Sequence, residues 1–250
     1  MLRRTVLFVA AVVSISSRGA ANASDWDGFY VGFNLGKAYM EADATRTISN
    51  NTYFAASSIT ALQAASAQNL DDNNFAGGAQ AGYNWPFAEQ FTFGAEIEAT
   101  DLKTVDMSSA TVVYPCCGPD TFTTTNRVEQ RWMTTARLRL GFTTEWGMIY
   151  ATGGYAGSDV TFTQSFSDTF FPIPLQTIKK SEFLSGYALG GGFEAAVLER
   201  TSVKLEYLYA DLGDITATGP IGTGTTTSNG QADVSTHLIR AGVNFNFSLD

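Results

Sequence analysis

One histidine, two adjacent cysteines and a set of charged residues sharing one strand parity are the side chains of this 250-residue chain best equipped for chemistry. Nucleophilic hydrolysis needs a hydroxyl within hydrogen-bond reach of a base that is oriented by an acid. Ser235 lies two residues before His237, the sole histidine, on the same parity of a strand-like segment. Side chains two apart on a strand are about 7 Å apart. That is too far for direct proton transfer, so a lipid hydrolase is only a distant alternative for His237. A single histidine also argues against a metal centre. Gly190-Gly191-Gly192 lacks the following helix and the lysine of a phosphate loop. Strand glycines that leave room for large inward side chains account for it better. No catalytic, cofactor-binding or metal-binding residue is assigned, no cofactor is expected, and the chain reads as a non-enzyme.

Cys116 and Cys117 are flanked by Pro115, Gly118 and Pro119. Adjacent cysteines pair with each other only through a strained ring. A loop disulfide and reduced or intermolecular thiols both stay open.

The charged set is Glu96, Glu98, Glu194 and Glu206 with Arg131, Arg137, Arg139, Lys204 and Arg240. What these residues do depends on the elements that place them. Eight segments alternate apolar or aromatic residues with small or polar ones. They run Gly28 to Tyr39, Phe75 to Trp85, Phe91 to about Thr100, Val128 to Phe142, Met148 to about Phe162, Phe183 to Val197, Thr201 to Asp211 and Val234 to Phe247. In the first, Phe29, Val31, Phe33 and Leu35 oppose Tyr30, Gly32, Asn34 and Gly36. In the fourth, Trp132, Ala136, Leu138 and Leu140 oppose Arg131, Arg137 and Arg139. Strands with one lipid-compatible and one polar face specify a transmembrane β-barrel.

The connections alternate. Glu41 to Asn74, Leu102 to Arg127, Gln164 to Glu182 and Leu212 to Asp233 are long, whereas Pro86 to Gln90, Thr144 to Gly147 and Leu198 to Arg200 are short. Long extracellular loops and short periplasmic turns are the asymmetry of outer-membrane barrels. A short helix within Ala55 to Leu70 competes with a mobile loop, and the mobile loop is favoured. The stretch with Gly219-Pro220 and Gly222 to Thr227 reads as flexible. Aromatic residues gather at strand ends: Phe29, Trp85, Phe87, Phe91, Phe142, Trp146, Phe245 and Phe247 at one side, Tyr39, Phe75, Trp132, Tyr187, Tyr207 and Tyr209 at the other. Two such bands suit two membrane interfaces. Tyr30 is the exception, an aromatic on the charged parity.

Arg3 and Arg4, an apolar run from Val6 to Val13, and Ala21-Asn22-Ala23 before Ser24 have the layout of a secretory signal peptide. Residues 1–23 are therefore expected to be a cleaved leader and 24–250 the barrel domain. Without Arg3, Arg4 and Arg18 the bases fall from 15 to 12 against 24 acids, a net charge of −12. Such an acidic surface excludes a nucleic-acid partner, whose phosphates need a basic patch.

Several stretches together resemble the small OmpA-like outer-membrane barrels, in particular the porin-like outer-membrane immunogenic proteins. They include Trp26-Asp27-Gly28-Phe29-Tyr30-Val31-Gly32, Gly82-Tyr83-Asn84-Trp85, Arg137-Leu138-Arg139-Leu140-Gly141, Gly190-Gly191-Gly192-Phe193-Glu194 and Lys204-Leu205-Glu206-Tyr207-Leu208-Tyr209. Matches touch every strand. The resemblance implies an all-β, eight-stranded antiparallel up-and-down barrel with four long extracellular loops in the cell outer membrane. It also implies outer-membrane lipid and the outer-membrane assembly machinery as partners, with host or surface partners reached through the loops. Family members commonly end on an aromatic residue, whereas Ser248-Leu249-Asp250 follow Phe247 here.

An eight-stranded barrel has an interior that side chains fill. Opposite charges sharing that interior should pair, because an unpaired buried charge costs several kcal/mol. A salt-bridged polar plug is therefore favoured over a narrow pore, and the role is structural or one of surface contact. The alternative of another class is a soluble exported barrel binding an apolar ligand, with aromatics inside and charges outside. The glycine and asparagine on the charged parity make a poor water-facing surface for it.

Overall fold

The computed structural model describes residues 26–170 and 175–247; the expected leader, residues 1–23, lies outside them. Eight strands form one closed antiparallel barrel in sequence order. They are β1 (Gly28–Ser49), β2 (Gln68–Ala88), β3 (Phe91–Val113), β4 (Thr121–Thr144), β5 (Gly147–Asp168), β6 (Gln176–Leu198), β7 (Thr201–Pro220) and β8 (Thr227–Phe247). One helix, α1 (Ala56–Ser66), joins β1 to β2. No helix among the described residues is long and apolar enough to cross a membrane, which leaves strand crossings open.

The lower half follows the alternation in the sequence. Phe33, Leu35, Ile97, Leu138, Leu189 and Leu205 face outward and are more than half exposed. The two aromatic rings bound this band, and most of their members are likewise exposed. From Phe29 to Tyr39 β1 rises about 25 Å, taking about 3.3 Å per residue and a tilt near 40°. That height matches the hydrocarbon layer a barrel must span.

The upper half departs from expectation. The strands are 20 to 24 residues long, about twice the 9–11 that cross a bilayer. Most of what reads as four long loops is strand. The connections shrink to residues 50–67, 114–120, 169–175 and 221–226. The alternation continues there with weaker contrast: Met40, Ala42 and Ala44 face inward while Glu41 and Asp43 face outward. The Gly- and Thr-rich stretch read as flexible is likewise ordered by β7 and β8, and Ile221 between them is buried. The segment favoured as a mobile loop is α1, because Leu62 buries fully against Phe54, Tyr114, Phe122, Phe166 and Ile221. This cluster closes the top of the lumen.

Two neighbouring pairs stop short of the top. The β2–β3 ladder ends at Gly77↔Asp101 and the β6–β7 ladder at Tyr187↔Asp211. Above those points the wall is two four-stranded sheets, β7-β8-β1-β2 and β3-β4-β5-β6, facing each other. Side chains latch the first seam: Asp72 accepts from the Val105 N–H at 2.8 Å and Asp106 from the Asp71 N–H at 2.9 Å. At the top of the second, the Gln176 side-chain amide donates to the Gly222 carbonyl at 2.8 Å and accepts from the Gly222 N–H. Between the sheets lies an apolar core including Met40, Leu70, Leu102, Val128, Phe162, Leu208 and Leu238. Register shifts in β3, β4 and β7 fall at the height where the sheets part.

Candidate functional site, a buried charge network

The lower lumen holds the charged residues that parity selects, with one correction. Glu96, Glu98, Glu194, Glu206, Arg137, Arg139, Lys204 and Arg240 point inward and are at most 5% exposed. Arg131 is exposed. The register of β4 against β5 shifts between Gln130 and Met133, so the added residue puts Arg131 and Trp132 both outside and inverts the parity of everything above. Removing Arg131 turns four acids against five bases into four against four. The network is neutral.

Arg137 lies directly across from Glu96 in the β3–β4 ladder. Its guanidinium reaches three carboxylates: Glu96, Glu98 at 2.8 Å and Glu206 at 3.1 Å. Arg240 grips Glu98 through both terminal nitrogens, one of them at 2.5 Å, and Glu206 through Nε at 3.0 Å. Lys204 lies 3.3 Å from Glu96 and 3.6 Å from Glu206. Arg139 donates to Glu194 at 2.7 Å and stacks over the Tyr150 ring at 4.0 Å. Charge-assisted bonds of this kind are the strong ones.

Neutral groups complete the set. Tyr30 donates to Glu96 at 2.8 Å and Tyr150 to Glu206 at 2.7 Å. Ser202 and Asn244 donate to Glu194 at 2.5 and 2.6 Å, and Thr100 to Glu98 at 2.5 Å. Glycines make the space: a Cβ on Gly82 would stand 2.4 Å from the Tyr30 hydroxyl, and one on Gly192 2.7 Å from that of Tyr150. The signal for Tyr30 was its place on the charged parity. Tyr150 escaped notice because Gly153-Gly154 blurs the faces of β5.

Carboxylate oxygens of Glu96, Glu98 and Glu206 lie within 4.8 Å of one another, a spacing that suits a metal ion. Arg137 bridges all three, so a guanidinium occupies the position a metal would take.

His237 and Ser235 face outward. The His237 Nδ1 is 2.7 Å from the Tyr207 hydroxyl, and its ring lies against Tyr209. The hydrogen bond of His237 is to Tyr207, not to Ser235. The pair is part of the aromatic ring.

The upper lumen contains a polar layer that parity reading overlooked. Arg46, 3% exposed, donates to the Ser165 carbonyl at 3.3 Å, while its Nε and Nη1 have no partner. No carboxylate among the described residues pairs with it, and burial pulls its pKa down to about 9. Above it, Asp168 accepts from the hydroxyls of Tyr53 and Tyr114, both at 2.6 Å. Burial and that carboxylate push both phenols well above the ordinary tyrosine range. Cys116 and Cys117 are disulfide-bonded to each other, with the Ser58 hydroxyl of α1 3.4 Å from the Cys116 sulfur.

The model of the outer membrane protein beta-barrel domain family matches residues 8–247. The 31 kDa outer-membrane immunogenic protein of Brucella melitensis biotype 1 is 28% identical over 248 residues, covering 96% of this chain and 93% of that protein. Among solved structures, the outer membrane protein OprG from Pseudomonas aeruginosa is 16% identical, covers 88% of this chain and 97% of its own, and gives a TM-score of 0.48. The outer membrane protease OmpT from Escherichia coli is 10% identical, with coverage of 93% and 100% and a TM-score of 0.39.

Proposed function

We propose, for a chain that belongs to the outer membrane protein β-barrel family, a structural and surface-contact role in which the lumen is a plug and not a pore. The outer-membrane location sets aside the soluble ligand-binding alternative. The apolar residues also face outward and the charges inward, the reverse of what that alternative requires.

The observation that carries the plug reading is the neutral network of four acids and four bases, at most 5% exposed, that fills the lower lumen. Solute passing through would have to separate ion pairs in a water-poor space. Each exposed carboxylate would lose several kcal/mol of compensation. Above the network lie the apolar core and, closing the top, the α1 cap. Vesicles carrying the refolded protein should therefore retain an entrapped monosaccharide as well as protein-free vesicles do. Leakage in proportion to the amount of folded barrel would overturn the reading.

The role is non-catalytic. Its support is that the His237 ring nitrogen is engaged by the Tyr207 hydroxyl and not by Ser235. Contact with host or other surfaces would fall to the upper sheets and the short connections above them. The assembly machinery would insert the barrel after removal of residues 1–23, and N-terminal sequencing of the protein from envelopes should begin at Ser24.

A further inference from the structure

The lower lumen balances its own charge, and the upper lumen does not. Arg46 stands on β1 between Ala44, which belongs to the apolar core, and Ile48, which packs against the cap cluster. Its Nη2 donates to the Ser165 carbonyl, whereas Nε and Nη1, which carry three of the five guanidinium N–H donors, meet no acceptor. With its pKa near 9 the group stays charged at neutral pH.

The other polar groups of this layer are committed to one another. Ser228 donates to Gln164 Oε1 at 3.3 Å, Gln164 Nε2 to Asn126 Oδ1 at 2.8 Å, and Asn126 Nδ2 to the carbonyl of Ser66, the last residue of α1, at 3.0 Å. Gln164 Nε2 also reaches the Thr45 carbonyl, next to Arg46, at 3.5 Å. These side chains are buried, and all are neutral. The acids of the lumen are engaged elsewhere. Glu96, Glu98, Glu194 and Glu206 belong to the lower network, and Asp168 accepts from Tyr53, Tyr114 and the Phe170 N–H.

The missing partner is therefore an acceptor that brings its charge from outside the chain. A buried water would take up free N–H groups, yet it would leave the charge uncompensated, which is the larger cost. An anion supplies both. The apolar floor and ceiling of the layer select the kind. A halide is close to a water molecule in size and accepts N–H donors from any direction, whereas a phosphate or a carboxylic acid brings further oxygens for which the committed side chains hold no donors.

We infer that the upper lumen holds one small monovalent anion of the halide class, chloride in ordinary media, bound to the free Nε and Nη1 of Arg46. The medium above the cap supplies it as the barrel closes. The ion gives the upper lumen the neutrality that the lower network draws from its own side chains.

Two measurements on the full mature protein test this, with a heat-shift gel confirming that each variant folds. Equilibrium dialysis of the refolded barrel in non-ionic detergent against radiolabelled chloride should find about one bound chloride per folded barrel, the one-site case. Arg46→Met should lower that binding about tenfold, the equivalent of about 1.4 kcal/mol. In phosphatidylcholine vesicles, replacing gluconate by chloride at constant ionic strength should raise the urea midpoint of wild type, because a ligand held by the folded state alone stabilises it with the logarithm of its concentration above Kd. Arg46→Met should start above wild type in gluconate and show no chloride dependence. Arg127→Gln, which removes a cation from the outer wall, should respond as wild type does. The wild-type dialysis decides by itself if a variant does not fold. The inference fails if wild type binds no chloride or its midpoint ignores chloride, the result expected of water alone, or if Arg46→Met responds as wild type does, the mark of a general salt effect.

Discussion

Replacing Arg137 with methionine removes the one side chain that touches three of the four lumen carboxylates while keeping most of its volume. Wild type balances four acids against four bases, so the variant is left with one excess negative charge in a buried site. Glu98 and Glu206 retain Arg240, but Glu96 falls back on Lys204 at 3.3 Å and on Arg139 at 3.9 Å. Breaking a buried pair by removing one partner costs about 3–5 kcal/mol. The lower figure applies here because no carboxylate is left alone. Arg137→Met/Glu96→Leu returns the count to three against three. It leaves the Tyr30 hydroxyl without its acceptor and Lys204 with Glu206 alone at 3.6 Å, about 1–3 kcal/mol for each unsatisfied buried group, so it should recover part of the loss. Urea titration in vesicles, followed by tryptophan fluorescence and by heat-shift gel, measures all three variants of the cycle. A loss under about 1 kcal/mol for Arg137→Met, or a double variant equal to the sum of the singles, would refute a charge-balanced plug.

Arg46→Met should stabilise the protein by about 1–4 kcal/mol, because it replaces a buried cation that has no carboxylate partner. The folded-state pKa near 9 lies below the ordinary 12.5, so the penalty is present below pH 9 and relieved above it. The gap between variant and wild type in urea should therefore narrow as pH rises from 9 towards 12. Leu205→Arg, at the middle of the apolar band, should cost about 2–4 kcal/mol and Tyr39→Arg at the aromatic ring about 0–1. Folding yields in thin and thick bilayers check this, and equal yields would reject the register.

The lower half of the barrel was legible because lipid on one side and a packed lumen on the other force the largest contrast between neighbours. Phe33 beside Asn34, or Leu138 between Arg137 and Arg139, cannot be exchanged without inverting a face. Above the bilayer both environments soften. Water meets Thr45 or Ser165 while the core accepts Ala42 or Ala44, so strand looks like loop. Arg46 was hidden for that reason. Arg131 was misplaced for a different one: a bulge adds one residue to β4, and nothing in Gln130-Arg131-Trp132 announces it. The neutral count of the network became visible only once that bulge was known. Cross-lumen partners such as Arg240 with Glu98 depend on barrel stagger, which a one-dimensional pattern does not contain.

Single-channel recording of the refolded mature protein in a planar bilayer tests the closed lumen most directly. The network, the apolar core and the α1 cap together predict a current indistinguishable from the bare membrane at moderate voltage, for protein whose folding is verified on the same preparation. Discrete, reproducible openings that scale with inserted barrels and change when Arg137 or Arg240 is replaced would show water and ions moving through the charged layer, and would contradict the plug.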